Sequence, residues 1–194
     1  MLENDGASLV VTITGSPVVR SRTAQIGERV ATSLAGDGFE VQGIEVRDLA
    51  PEDLIHARCD SPALRDALGL VERARGVVIV TPIYKASYSG VLKAFLDLLP
   101  QSGLAGKVVL PIAIGGSIAH LLAIDYALRP VLLALGAQHV VSGLFVLETS
   151  VERLPGGGIC LDPNMAGRLD QVVSEFAASV DRRGVQRRST ARRL

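Results

Sequence analysis

The chain repeats one arrangement along its length: a short run of β-branched and aliphatic residues, a loop, then a longer stretch with helical period. Five such runs stand out, SLVVTIT (8–14), FEVQGIEV (39–46), GVVIVT (76–81), KVVLPIAI (107–114) and HVVSGLFVL (139–147). Helices are predicted at about 23–35, 62–74, 88–99, 118–135 and 164–181, several of them opening after a Ser, Thr or Asp that caps free amides. This alternation is the signature of repeated βαβ units around a parallel sheet. The first, third and fourth runs are apolar enough to be buried on both faces. The second is interspersed with Glu40, Gln42 and Glu45 and suits an edge. The pattern predicts a doubly wound α/β domain with a five-stranded parallel sheet of order 2-1-3-4-5 and helices on both faces. In that order the first and third strands flank the topological switch point, where ligands bind.

Charge and cysteine content narrow the function classes. Lysine plus arginine equals aspartate plus glutamate at 20 each, but the last thirteen residues hold six arginines and no acid, so residues 1–181 are net about −6. A mildly acidic body lacks the clustered cations that phosphate backbones require, which argues against nucleic-acid binding. The expected organisation is a single domain over 1–181 and an arginine-rich tail over 182–194, solvated and without fixed structure. Cys59 and Cys160 have no metal-type or redox-motif spacing, and no basic-then-apolar leader opens the chain. A reduced, cytoplasmic protein is expected. The apolar stretch VVLPIAIGGSIAHLLAI is broken by Pro111 and two glycines, short of the roughly 20 uninterrupted residues of a membrane span.

Three loops leave the carboxyl ends of strands one, three and four with unusual compositions. In TGSPVVRSRT, Gly15 permits a sharp exit, and Ser16, Ser21, Arg22 and Thr23 bring hydroxyl and guanidinium donors to the start of a helix whose dipole favours an anion. Neither GxGxxG nor GxxxxGK[ST] is present, so a monophosphate suits the loop better than a dinucleotide or triphosphate, and a loop that merely caps its helix is the open alternative. In TPIYKASYSG, Pro82 is expected to stop the third strand and to present backbone groups of Ile83 and Tyr84 to the crevice. Tyr84 and Tyr88 suit the wall of a planar heteroaromatic ring, Ser87, Ser89 and Gly90 would cap the next helix, and Lys85 is expected to point to water, with a phosphate as the alternative. In IGGSIAH, Gly115 and Gly116 let backbone approach a ligand and Ser117 caps the following helix, with a plain tight turn as the alternative. His56, His120 and His139 are isolated, and no metal site can be assembled. Pro130 lacks the amide that would bond to the carbonyl of Tyr126, so the helix after strand four must bend or widen there.

Taken together, GSPVVRSRT, APEDLIHARCDSPAL, TPIYKASYSGVLKAFLDLLP, GKVVLPIAIGGSIAHLLAIDYALRPVL and LGAQ resemble the NAD(P)H-dependent FMN reductases of the flavodoxin-like superfamily, most of all the alkanesulfonate-utilisation type. The resemblance spans roughly 8–148. It implies a flavodoxin-like three-layer sandwich, FMN held through its phosphate by Ser16, Ser21, Arg22 and Thr23, and its ring bordered by Pro82, Ile83, Tyr84, Ser87, Gly115, Gly116 and Ser117. It further implies NADPH or NADH as hydride donor, FMNH2 supplied to a partner two-component monooxygenase, and a homo-oligomer, dimer or tetramer. Relatives of this type carry a π-bulge at a tyrosine that Tyr126 matches, with a simple proline kink as the alternative. Because the two cofactors carry the electronic work, no side chain is assigned as a chemical catalyst; Tyr126 and His120 are second-tier candidates for shaping flavin access. A flavodoxin-type electron carrier and an FMN-bound quinone, azo or chromate reductase are the rival functions.

Overall fold

The first apolar run forms β1 (Leu9–Thr14) in a computed structural model that describes residues 7–191, with side chains described through Arg182. The chain continues through α1 (Arg22–Gly36), β2 (Glu40–Glu45), the short α2 (Pro51–Ile55) and α3 (Pro62–Arg73), which brings it back to β3 (Gly76–Tyr84). Then follow β4 (Ser87–Tyr88), α4 (Gly90–Leu96), β5 (Val108–Gly115), α5 (Arg129–Ala134), β6 (His139–Val140) and β7 (Leu144–Leu147). A hairpin of β8 (Val151–Arg153) and β9 (Ile159–Leu161) precedes α6 (Pro163–Ala191).

The main sheet has the order β2-β1-β3-β5-β6, with β7 also paired to β5. All of these pairings are parallel, and β6 and β7 are two pieces of one fifth strand along β5. The expected 2-1-3-4-5 order is therefore present, with β2 at an edge. Two features of the sheet have a common cause in proline. The carbonyl of Val109 accepts from Val141 N–H at 3.0 Å. Alternate residues of a strand turn their amides to the same neighbour, so Pro111 faces this side without a donor, and there the fifth strand is interrupted between Val140 and Leu144.

Pro82, by contrast, does not end β3 as expected: the strand continues to Tyr84, with Pro82 in register with Ile114. The carbonyl of Val80 accepts from Gly15 N–H at 2.8 Å, so Val80 and, two residues on, Pro82 face the side of β1. That strand has already ended at its last pair, Thr14 with Val80. The missing amide therefore costs no ladder bond.

Strand residues alternate between two cores, as a sheet covered on both faces requires. Val10, Val78 and Val80 pack with Ile26, Val30 and Leu34 of α1 and with Leu169, Val173 and Phe176 of α6. Val11, Ile13, Val77 and Ile79 pack on the other face with Leu64 and Val71 of α3, Leu92 and Phe95 of α4 and Leu132 of α5. Ile79 is fully buried, and its truncation to alanine would cost about 2–5 kcal/mol. Lys107 closes the lower end of α3, its Nζ donating to the carbonyls of Glu72 at 2.7 Å and Ala74 at 2.9 Å.

Three helices differ from expectation. The predicted 88–99 helix is shortened to α4 at both ends, by the strand that takes Tyr88 and by the turn after Leu96, where Leu98 N–H donates to the carbonyl of Phe95 at 3.1 Å and Leu99 N–H to that of Leu96 at 3.2 Å. The predicted 118–135 helix is divided into a 3-10 turn (Ile118–His120), a π-helical turn (Ile124–Leu128) and α5. The π turn widens the helix where Pro130 withholds its amide, and Arg129 N–H reaches back to the carbonyl of Ile124. The last helix, expected over 164–181, opens at Pro163 and continues through the arginine-rich stretch to Ala191; the rest of that stretch, and its side chains beyond Arg182, lie outside the described residues. Among the described residues no helix is long and apolar enough to cross a membrane.

Candidate flavin site at the carboxyl edge of the sheet

The three loops singled out by composition meet at the carboxyl ends of β1, β3 and β5. Gly15 leaves β1 so tightly that a Cβ there would stand 2.5 Å from the Cβ of Leu92 and 3.2 Å from Ser89 Oγ. Only glycine lets the first loop lie this close to α4. Ser89 is 1% exposed, and its hydroxyl joins the two loops: it donates to the carbonyl of Gly15 and accepts from Leu92 N–H at 3.1 Å, capping α4. Its own N–H donates to Thr81 Oγ1 at 3.1 Å. Ser89, not Ser87, is thus the cap; Ser87 pairs with Tyr84 in the β3–β4 hairpin.

The second and third loops meet through Ile83 and Gly115. A Cβ on Gly115 would lie 2.7 Å from Phe145 Cζ and 3.5 Å from the Cβ of Ile83, so glycine at this strand end lets the two chains close over Phe145. Gly116, Ser117 and Tyr84 are exposed beside this contact. Ser117 accepts from Ala119 N–H at 3.2 Å and caps only the 3-10 turn, not a full helix. His120 is half-buried in that turn, and Tyr126, 78% exposed, projects from the π turn against which β4 packs.

The first loop gathers hydrogen-bond donors at the amino end of α1. Ser21 is the N-cap of α1, accepting from Ala24 N–H at 3.1 Å. Ser16 is buried and accepts from Val18 N–H at 3.2 Å, and Thr23 is buried beneath the first turn. Between them Pro17, Val18, Val19 and Arg20 are exposed, and Arg20 takes the left-handed conformation at φ 52, which in a turn directs successive amides to one side. Arg22 is the charged donor. Its Nε donates to the carbonyl of Val151 at 3.0 Å, its Nη1 lies 3.9 Å from Glu148 Oε2, and a third of its side chain reaches solvent. A helix amino end, a left-handed turn and a guanidinium form a donor set that fits a phosphate monoester. The glycine-lined strand ends fit the close approach of a flat ring.

Side-chain chemistry at this edge is sparse. The carboxyl of Glu45, beside Thr14, is raised above the ordinary glutamate range by burial, opposed by the Thr14 hydrogen bond and by Arg47. Burial likewise raises the phenol of Tyr88, which packs against the core on the face of the sheet covered by α3, α4 and α5. The Glu45 carboxylate accepts from Arg47 Nη1 at 2.6 Å and is engaged in that ion pair. An apolar recess of about 380 Å3 adjoins the first loop, between Pro17, Leu54, Ile55 and Val91. A roomier cavity of about 650 Å3, lined by Arg65, Glu72, Pro100 and Lys107, faces the amino ends of the strands, away from these loops. The chemistry of the donor set, not volume, marks the carboxyl edge.

The structure thus brings Ser16, Ser21, Arg22, Thr23, Pro82, Ile83, Tyr84, Gly115, Gly116 and Ser117 to one edge, and sets His120 and Tyr126 on the segment flanking it. Glu148 and the Val151 carbonyl were not anticipated. They lie 126 and 129 positions from Arg22, so no local pattern points to them.

The model of a family described as NADPH-dependent FMN reductase matches residues 8–152. The chain is 45% identical to the FMN reductase (NADPH) of Escherichia coli (strain K12) over 180 residues, covering 91% of this chain and 92% of the other. It is 53% identical to the FMN reductase (NADPH) of Pseudomonas putida KT2440 over 148 residues, 76% of this chain and 75% of the other. Among solved structures it is similar to the apo form of the NADH:FMN oxidoreductase EMOB, with a TM-score of 0.81 at 40% identity over 89% of this chain and 90% of that one. A Streptococcus pneumoniae TIGR4 flavodoxin shares the fold at 18% identity, with a TM-score of 0.58 over 90% of this chain and 99% of that one.

Proposed function

The chain belongs to the NADPH-dependent FMN reductase family, and from that premise we propose that it reduces FMN as a dissociable substrate and releases FMNH2 to a separate monooxygenase. It is an NAD(P)H:FMN oxidoreductase, with FMN and a reduced nicotinamide cofactor as its small molecules. A hydride passes from the nicotinamide to the flavin, and this electronic work is done by the two cofactors. The protein's part is to hold two flat rings in register and to anchor their polar ends.

The observation that carries the site assignment is the meeting of α1's amino end, with Ser21 and Arg22, and the backbone of residues 82–84 and 115–116 at one sheet edge. On this reading Ser21 and Arg22, with the amides of the first loop, hold the flavin phosphate. Buried Ser16 and Thr23 shape that loop from beneath. Pro82, Ile83 and Tyr84 border the ring on one side, with Ser87 bracing the hairpin, and Gly115, Gly116 and Ser117 border it on the other. Tyr126 and His120 flank the entry.

The partner is a two-component FMNH2-dependent monooxygenase of alkanesulfonate or related organosulfur utilisation, a reading supported by the resemblance of the three loops to that type. Residues 1–181 act as one catalytic domain in the cytoplasm. Leu121, Leu122 and Tyr126, exposed on the segment after β5, support self-association of the chain.

Purified protein should oxidise NADPH or NADH faster when free FMN is added, and should lose its flavin on dialysis. No acceleration by FMN would refute the assignment. Flavin retained through dialysis with negligible NAD(P)H turnover would favour an electron carrier, and a quinone that outcompetes FMN at steady state would favour a quinone reductase.

A further inference from the structure

Glu148 places a carboxylate where the flavin phosphate needs a cation. It follows β7 directly, at the carboxyl end of the fifth strand. Its Oε2 lies 3.9 Å from Arg22 Nη1 and would be 4.0 Å from a Cβ on Gly116. The carboxylate therefore stands between the third loop and the amino end of α1. Arg22 is fixed on its other side, where Nε donates to the carbonyl of Val151. One guanidinium thus serves the start of the β8–β9 hairpin, an acid and the donor set at the amino end of α1.

This ion pair does little for folding. The two side chains are 34% and 50% exposed, and pairs of that kind contribute little to stability because water screens them. Its effect on a phosphate is larger. A doubly charged phosphate held by Arg22 comes to roughly 6 Å from the carboxylate, where even water-like screening leaves a repulsion worth about tenfold in affinity. At 3.9 Å the carboxylate makes no hydrogen bond to Arg22, but its charge offsets part of the guanidinium's attraction for a phosphate.

We propose that Glu148 limits the affinity of the site for FMN: its carboxylate competes with the flavin phosphate for Arg22 and so keeps the flavin exchangeable. This rests on the assignment of Arg22 and the amino end of α1 to the flavin phosphate. An enzyme that hands reduced flavin to another protein must let it go after each turnover, and a fixed negative charge beside the phosphate achieves this without weakening the grip on the ring.

The test is a fluorescence-quenching titration of the flavin-free protein with FMN and, separately, with riboflavin, which has the ring but no phosphate. Glu148→Gln keeps the size and removes the charge. It should tighten FMN about tenfold and leave riboflavin unchanged, and the difference from wild type should narrow as salt is raised. Arg22→Ala should weaken FMN and spare riboflavin. An FMN constant for Glu148→Gln within twofold of wild type overturns the proposal, as does an equal shift for FMN and riboflavin, which would reflect shape and not charge. If Arg22→Ala weakens FMN while Glu148→Gln changes nothing, only the role of Glu148 fails. If Arg22→Ala leaves FMN binding untouched, the phosphate assignment fails with it. A thermal melt of each variant within a few degrees of wild type establishes that the comparison is between folded proteins.

Discussion

Replacing Ser89 by alanine removes one hydroxyl on which two loops depend. In the wild-type protein that hydroxyl donates to the carbonyl of Gly15 and accepts from Leu92 N–H, in a position 1% exposed to solvent. Alanine leaves the first turn of α4 without its cap, a loss of about 1 kcal/mol. It also leaves a carbonyl without a partner at a place water does not reach freely, at about 1–3 kcal/mol. The Gly15 backbone cannot move closer to α4 to compensate, because it already runs against Leu92. The sum is about 2–4 kcal/mol, which for a domain of this size lowers the melting temperature by roughly 10 °C. Calorimetry measures this directly, and urea unfolding should show the lower midpoint at an unchanged slope, since the surface exposed on unfolding is the same. The loop that carries Ser21 and Arg22 begins at Gly15, so FMN should also bind more weakly to Ser89→Ala. A melting temperature within about 2 °C of wild type would refute the reasoning, because it would mean that packing against Leu92 alone holds the first loop.

Two further predictions concern the edges of the site. Lys85 and Ala86 form the two-residue turn between β3 and β4 with φ of 50° and 63°, a conformation that side chains resist and that such turns usually assign to Asn and Gly. Ala86→Gly relieves about 1–2 kcal/mol of left-handed strain against an entropic loss of about 0.5–1 kcal/mol, so the variant should melt slightly higher than wild type; a lower melting temperature would contradict this. Asp162 caps α6, its Oδ1 accepting from Met165 N–H at 2.9 Å. The hydrogen bond from Ser150, then those from backbone amides, hold its carboxyl below the ordinary aspartate range. A folded-state value lower than the unfolded one means that the contribution is complete above the unfolded value and disappears as pH falls through the folded one. Asp162→Ala should therefore melt below wild type at neutral pH, and the two should converge in acid. A gap that persists at the lowest pH at which both remain folded would show that the cap acts through something other than the ionised carboxylate.

The period of the apolar runs located the five parallel runs of the main sheet but not the short β4 or the break between β6 and β7, because burial on both faces writes itself into consecutive β-branched residues such as Val77–Val80. Turn and cap chemistry likewise marked the three loops, since Gly15, Gly115 and the serines before α1 and α4 act on their immediate neighbours. The limits of local pattern lie in the prolines. Pro82 should end a strand on local grounds, yet it sits inside β3, because the side its amide would face has no strand left to accept it. Pro111, equally apolar in sequence, interrupts the fifth strand because its amide faces a neighbour that is still present. The difference is a matter of which strands lie alongside, and no window of sequence contains it.

From residue order alone, then, came the doubly wound sheet, its edge strand and the edge at which a ligand would sit, since these follow from hydrophobic period and short-range stereochemistry. Tertiary structure decided how the loops are tied. Ser89 reaches Gly15 across 74 positions and Arg22 reaches Val151 across 129, and Glu148 arrives beside the same guanidinium only because the fifth strand ends next to the fourth. Contacts of that kind cost chain entropy to close and leave no periodic trace in the sequence, so they become visible only once packing has brought the distant segments together.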